Sequence, residues 1–163
     1  MDRVKLLADY GSYLKKNHLD SLAEENRQFL SRLDLHLLKS GKEFSIEELL
    51  KMSVTNLARL LESFEKGKIT RVIISKILKL ELEALPGVKP ENISSNDLLS
   101  IYTAQKQAVL CFIPKFTKDE EIRNTLTEEL ELTFLMAMDY TIESYVEHRI
   151  KSVKTLTYRK KVQ

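Results

Sequence analysis

One cysteine, three prolines and four glycines are spread through 163 residues, and each scarcity removes a class of structure. A lone Cys111 cannot close an internal disulfide and agrees with a reducing compartment. It sits among Val109, Leu110, Phe112 and Ile113 with no basic neighbour to lower its pKa, so it reads as an inert core thiol. Apolar runs stay far below the roughly 20 residues that span a bilayer. The opening Met1-Asp2-Arg3-Val4-Lys5 has charge where a signal peptide needs its apolar stretch, so a cytoplasmic protein without a membrane partner is expected. Gly67 and Gly87 are isolated helix stops, and nothing resembles a Gly-rich phosphate cradle.

Histidine is equally sparse. His18, His36 and His148 fall in three helical segments, and none has a second ligand three or four residues away, the spacing of a helical metal pair. Asp34 and His36 lie two apart, on different faces. The acidic runs Asp119-Glu120-Glu121 and Glu128-Glu129-Glu131 lack the loop spacing of a calcium site and read as solvated helix faces. Ser94 and Ser95 are explained by helix capping. No metal, cofactor or catalytic group is therefore expected, and the chain reads as non-enzymatic. A net charge of +2, the balance of 26 basic and 24 acidic residues, argues against nucleic acid as the partner of the whole protein.

Helical periodicity dominates what is present. Hydrophobic residues make up 43% and charged residues 31%, a globular balance with enough chain for one substantial core. Residues 3–16 predict a short helix with Val4, Leu7, Gly11 and Leu14 on one face, weakened by Gly11. A second helix is expected from Leu19 to Lys39 and closes at Ser40-Gly41. A third starts at the capping box Ser45-Ile46-Glu47-Glu48 and stops at Lys66-Gly67, and a fourth runs from Ile69 to about Leu85 before Pro86-Gly87 and Pro90. Ser94-Ser95-Asn96-Asp97 opens a fifth that Pro114 stops or kinks. No stretch alternates with the two-residue period of a sheet, so the fold class is all-α, with about six helices.

The sixth is the longest. From Thr117 to about Thr157 the pattern contains neither Gly nor Pro and opens with the capping box Thr117-Lys118-Asp119-Glu120. Ile122, Leu126, Leu130, Phe134, Ala137 or Met138, Thr141 or Ile142, Tyr145, Ile150 and Val153 read as one stripe facing a partner. Such a helix is about 60 Å long, twice the span of a small domain, so its end must project or pair. Ile142, Tyr145, Val146, Ile150 and Val153 are the candidate pairing and relay residues of a homodimer. Residues 151–163 hold Lys151, Lys154, Arg159, Lys160 and Lys161 with no acid, a basic extension or linker after a domain spanning 1–150. Tyr102, Phe112, Phe134 and Met138, at helical spacing, are a core or the wall of a ligand cavity.

The order of the later segments resembles a known family. A helix ending at Leu61-Glu62-Ser63-Phe64, the segment Val72 to Leu85, a Pro/Gly break, the entry Ile93-Ser94-Ser95-Asn96-Asp97-Leu98-Leu99 and a final helix with Met138-Asp139-Tyr140-Thr141-Ile142-Glu143-Ser144-Tyr145 resemble the N-terminal sensor domain of RsbR-type stressosome proteins. The resemblance covers roughly Met52 to Arg149. It implies a globin-like, non-haem fold and a dimeric sensory or scaffolding domain that signals through its last helix to an output module. In that family the output domain would follow Gln163, so the chain reads as an excised input domain or a stand-alone homologue. Haem sensors of the same fold carry a proximal His where this sequence has Glu81, Leu82 and Glu83. Three alternatives remain: an adaptor binding nucleic acid or protein through its basic tail, a haem gas sensor, and a phosphotransfer element using His148.

Overall fold

A computed structural model describes residues 1–33, 46–67, 76 and 94–162, apart from the side chains of Ile46, Leu49, Met52, His148, Ser152 and Val162. The only regular elements among the described residues are helices, in the order α1 (Arg3–Asn17), α2 (Leu19–Ser31), α3 (Ile46–Glu65), α4 (Ser95–Cys111), the single turn α5 (Ile113–Phe116) and α6 (Glu120–Val162). Of the expected fourth helix, from Ile69 to Leu85, only Lys76 is among the described residues, where it is helical; residues 34–45 also lie outside them.

Local signals set the boundaries. Asp2 caps α1 by accepting from the Lys5 amide at 3.1 Å. Ser94 and Asp97 form a reciprocal capping box at the start of α4, with bonds of 3.1 and 3.2 Å. Gly67 ends the α3 segment at φ +63°, a left-handed conformation that favours glycine, and its amide donates to the Phe64 carbonyl. Two expectations are corrected here. α2 stops at Ser31 rather than Lys39, because the Arg32 and Leu33 amides turn back to the carbonyls of Phe29 and Leu30 and tighten the last turn. Asp119, not Thr117, caps α6: its carboxylate accepts from the Ile122 amide at 3.1 Å, and the Thr117 hydroxyl accepts from Asp119 N–H. Pro114 lies in the first turn of α5, directly after α4 ends at Cys111, a place where its missing N–H costs nothing.

The core lies where α3 packs on α1 and α2, α4 packs on α2 and α6, and α6 closes over α1. Tyr10, Leu14, Leu22, Leu57, Leu61, Phe64, Tyr102, Val109, Leu126, Leu130 and Phe134 are all essentially inaccessible. Burial pushes the Tyr10 hydroxyl above the ordinary phenol range, so it stays a donor. It donates at 2.5 Å to the Val109 carbonyl, close to the end of α4. Rings from three segments meet there: Tyr10 and Tyr13 each stand 5.2 Å from Phe116, and His18 stands 4.9 Å from Tyr13.

Gly11 is a contact rather than a weak point. It is buried where α1 crosses α3, and a Cβ there would stand 3.0 Å from Phe64 Cβ and 3.1 Å from the Leu61 carbonyl oxygen. Both atoms are fixed to the α3 backbone, so relief requires the two helices to separate. The ~1 kcal/mol of helix propensity that glycine forgoes is outweighed by overpacking of roughly 1–3 kcal/mol. Gly11→Val is expected to lower stability by about 3 kcal/mol in urea unfolding. An unchanged midpoint would mean that α1 does not cross α3 at this distance.

Candidate interaction surface on the C-terminal helix

α6 is 43 residues long, about 64 Å at ~1.5 Å per residue. Leu126, Leu130, Phe134, Ala137 and Thr141, at steps of three and four, form its buried row. Among the described side chains nothing beyond Thr141 is buried, so the last half of the helix runs past the body. The helix also continues unbroken through residues 150 and 151 to Val162.

A second apolar row lies on the other side. Leu132 and Leu135 are 53% and 64% exposed, although they belong to the half of α6 that closes the core. At ~100° per residue they sit nearly opposite Leu130 and Phe134. The row continues through Met136, half-buried Ile142, and then Val146, Ile150, Val153 and Leu156, which are 47% to 60% exposed. Steps of three and four from Leu132 to Leu156 trace a heptad seam along the whole exposed flank, interrupted only at Asp139 and Arg149.

Charge is sorted along the same helix. Its first half carries Glu120, Glu121, Glu128, Glu129, Glu131 and Asp139, and its end carries Lys151, Lys154, Arg159, Lys160 and Lys161. The acidic part is tied to the body: Arg3 reaches Glu129 at 2.8 Å and Glu128 at 3.5 Å, and Lys106 reaches Glu131 at 2.9 Å. Arg149 donates to the Tyr145 hydroxyl at 2.9 Å and lies 5.3 Å from that ring.

No protein-family model, curated protein or solved structure matches this chain.

Of the pairing residues expected from sequence, Ile142, Val146, Ile150 and Val153 share the exposed row, while Tyr145 is half-buried at its edge. Ile150 and Val153 therefore do not continue the stripe of Leu126 to Thr141 but belong to the opposite face, because the five-residue step from Tyr145 to Ile150 carries the chain about 140° around the helix. Leu132, Leu135, Met136, Asp139 and Arg149 are the members that sequence reasoning missed. Their signal was a second run of three- and four-residue steps, out of phase with the first.

Tyr102, Phe112 and Phe134 are buried and Met138 is partly so, all within or against the core. Phe134 meets Phe64 edge-on at 6.1 Å, whereas Phe112 faces His18 at 5.3 Å and carries the Lys115 ammonium 4.5 Å from its ring centre. His18 Nε2 lies 2.8 Å from the Tyr13 hydroxyl, which also stands 3.2 Å from the Lys115 carbonyl oxygen. Cys111 is exposed, not a core thiol, because α4 ends at that residue and the chain turns at Phe112. Desolvation, with the Glu25 charge adding, raises its pKa, the direction that keeps a thiol unreactive. Among the described residues no three His, Cys, Asp or Glu side chains are grouped to hold a metal, and no helix is long and apolar enough to cross a membrane. His36 and residues 81–83 lie outside the described residues.

Proposed function

We propose that this chain is a non-enzymatic regulatory module that works as a homodimer: the bundle is a sensory or scaffolding body, and α6 is both its closing element and its pairing and relay element. The observation that carries this reading is the apolar row from Leu132 to Leu156, solvent-facing on a helix whose other face is already committed to the core. A seam at heptad spacing is the pattern by which one helix packs on another. The resemblance to stressosome sensor domains adds a globin-like body and an output protein or domain as the recipient of the signal. A helix shared by core and interface suits such a relay, since repacking against Phe134 would move the seam with it, and a few kcal/mol between two packings is enough to switch it.

Sedimentation equilibrium tests the reading. The protein is expected to sediment as a dimer, and Ile150→Asp is expected to weaken association by at least tenfold by placing a carboxylate beside the seam. A monomer at tens of micromolar, or a dimer indifferent to Ile150→Asp, would overturn the assignment.

A further inference from the structure

Resting on the reading that α6 pairs with a second copy, we propose that the two helices run antiparallel, about a two-fold axis beside Ser144. The argument is one of register and charge. The seam positions along the exposed flank are Glu128, Leu132, Leu135, Asp139, Ile142, Val146, Arg149, Val153, Leu156 and Lys160, alternating steps of four and three. Read from either end, this series has the same pattern of residue classes except that its charges invert. An antiparallel pair centred on Ser144 sets Ile142 against the partner's Val146, Leu135 against the partner's Val153 and Leu132 against the partner's Leu156. The interruptions then fall together: Asp139 faces the partner's Arg149, and Glu128 faces the partner's Lys160.

A parallel pair aligns the same apolar residues but stacks each charge on its own copy, Asp139 on Asp139 and Arg149 on Arg149, inside the seam. Like charges held together at a partly desolvated position are destabilising, and opposite ones are not. Farther out the distinction grows. A parallel pair brings two tails of Arg159, Lys160 and Lys161 side by side, whereas the antiparallel pair lays each tail along Glu128, Glu129 and Glu131 of the other copy. Those glutamates are already fixed by Arg3 and Lys106 of their own body. The partner's tail would join that cluster directly behind the core row of Leu126 and Leu130.

Among the described residues the body reaches the seam only at its edge, where Arg3 stands 3.5 Å from Glu128. It packs on the face of α6 carrying Leu126, Leu130, Phe134, Ala137 and Thr141, roughly opposite the seam, so the two bodies sit at opposite ends and on outer sides of the helix pair. The consequence is a different route for the signal. The C-terminal ends diverge, each resting on the partner's body, and the basic tail is an intersubunit contact rather than a free stalk.

Cysteine cross-linking decides the orientation. In a Cys111→Ser background, which removes the exposed native thiol, Leu135→Cys and Val153→Cys are made separately, allowed to exchange subunits, and oxidised. Both positions are exposed, so neither change burdens the fold. The antiparallel pair predicts covalent dimer only in the mixture of the two variants. Dimer from each variant alone would overturn it in favour of a parallel pair. A protein that sediments as a dimer but cross-links in no combination would overturn the seam while leaving self-association standing, and a monomer would overturn the homodimer itself. Asp139→Arg gives a second readout: it is expected to weaken association at least tenfold, with recovery in Asp139→Arg/Arg149→Asp, whereas in a parallel pair the single change only exchanges one like pair for another and leaves the association constant unmoved.

Discussion

Phe134→Ala is expected to remove about 4 kcal/mol of unfolding free energy, the largest loss from any single truncation on α6. The ring is 1% exposed and lies in the middle of the buried row, with Leu130 one turn before it and Ala137 one turn after. Its edge-on contact with Phe64, centroids 6.1 Å apart, joins α6 to α3 across the bundle. Cutting Phe to Ala in a core costs ~3–5 kcal/mol, because lost transfer energy and an unfilled cavity add. An aromatic pair supplies ~0.5–1.5 kcal/mol of the contact beyond area. Against a total stability of roughly 5–15 kcal/mol for a domain, that is about a quarter or more, and at ~2–4 °C per kcal/mol the melting temperature should fall by about 8–16 °C. Phe134→Leu, which keeps most of the volume, should cost about 1.5 kcal/mol at most. Urea denaturation of both variants checks the pair. A loss under 1 kcal/mol for the alanine variant would mean that α6 does not close this core.

How much of this was legible in the sequence divides by the range of the interaction. The helical class, the cap at Ser94 and the stop at Gly67 depend on residues within one turn of each other, and the sequence displays them directly. Gly11 depends on how close α1 comes to α3, a tertiary distance that no local pattern encodes, and so it reads as a defect in a helix when it is a crossing point. Cys111 stands inside an apolar run, which suggests burial, but the turn at Phe112 directs that one residue outward between half-buried Leu110 and buried Phe112.

The last helix shows a subtler failure. Periods of three and four allow one thread to be drawn from Ile122 to Val153, although the residues along it occupy two opposite faces. The ambiguity is physical: a helix that is apolar on both sides presents, in one dimension, a choice at nearly every turn. Only burial separates the row that the body consumes from the row that it leaves outside. The same division explains why Tyr102, Phe112 and Phe134 read equally well as core or cavity wall. Their spacing fixes which way they face, while their different ring neighbours, Phe64 for one and His18 for another, come from elements far apart in the chain.

Removing residues 143–163 is expected to abolish self-association while leaving the body folded, the largest effect on assembly of any change considered. The deletion takes Val146, Val153 and Leu156 out of the seam and Ile150 from beside it, and leaves the buried row intact, since Thr141 is its last member. It also removes Lys151, Lys154, Arg159, Lys160 and Lys161, so both the apolar and the ionic contributions to pairing disappear together. Folding and assembly are linked by mass action: a partner that binds only the folded chain raises the melting temperature as protein concentration rises. The full chain should therefore melt at a concentration-dependent temperature, and the shortened chain at a constant one equal to the full chain's value at high dilution. Light scattering on the shortened chain should give a monomer. A melting temperature more than about 5 °C below that dilution limit, which amounts to roughly 1–2 kcal/mol for a chain of this size, would show that the outer half of α6 packs on its own body. A shortened chain that still dimerises would place the interface on another surface, and with it the route by which one body senses the other.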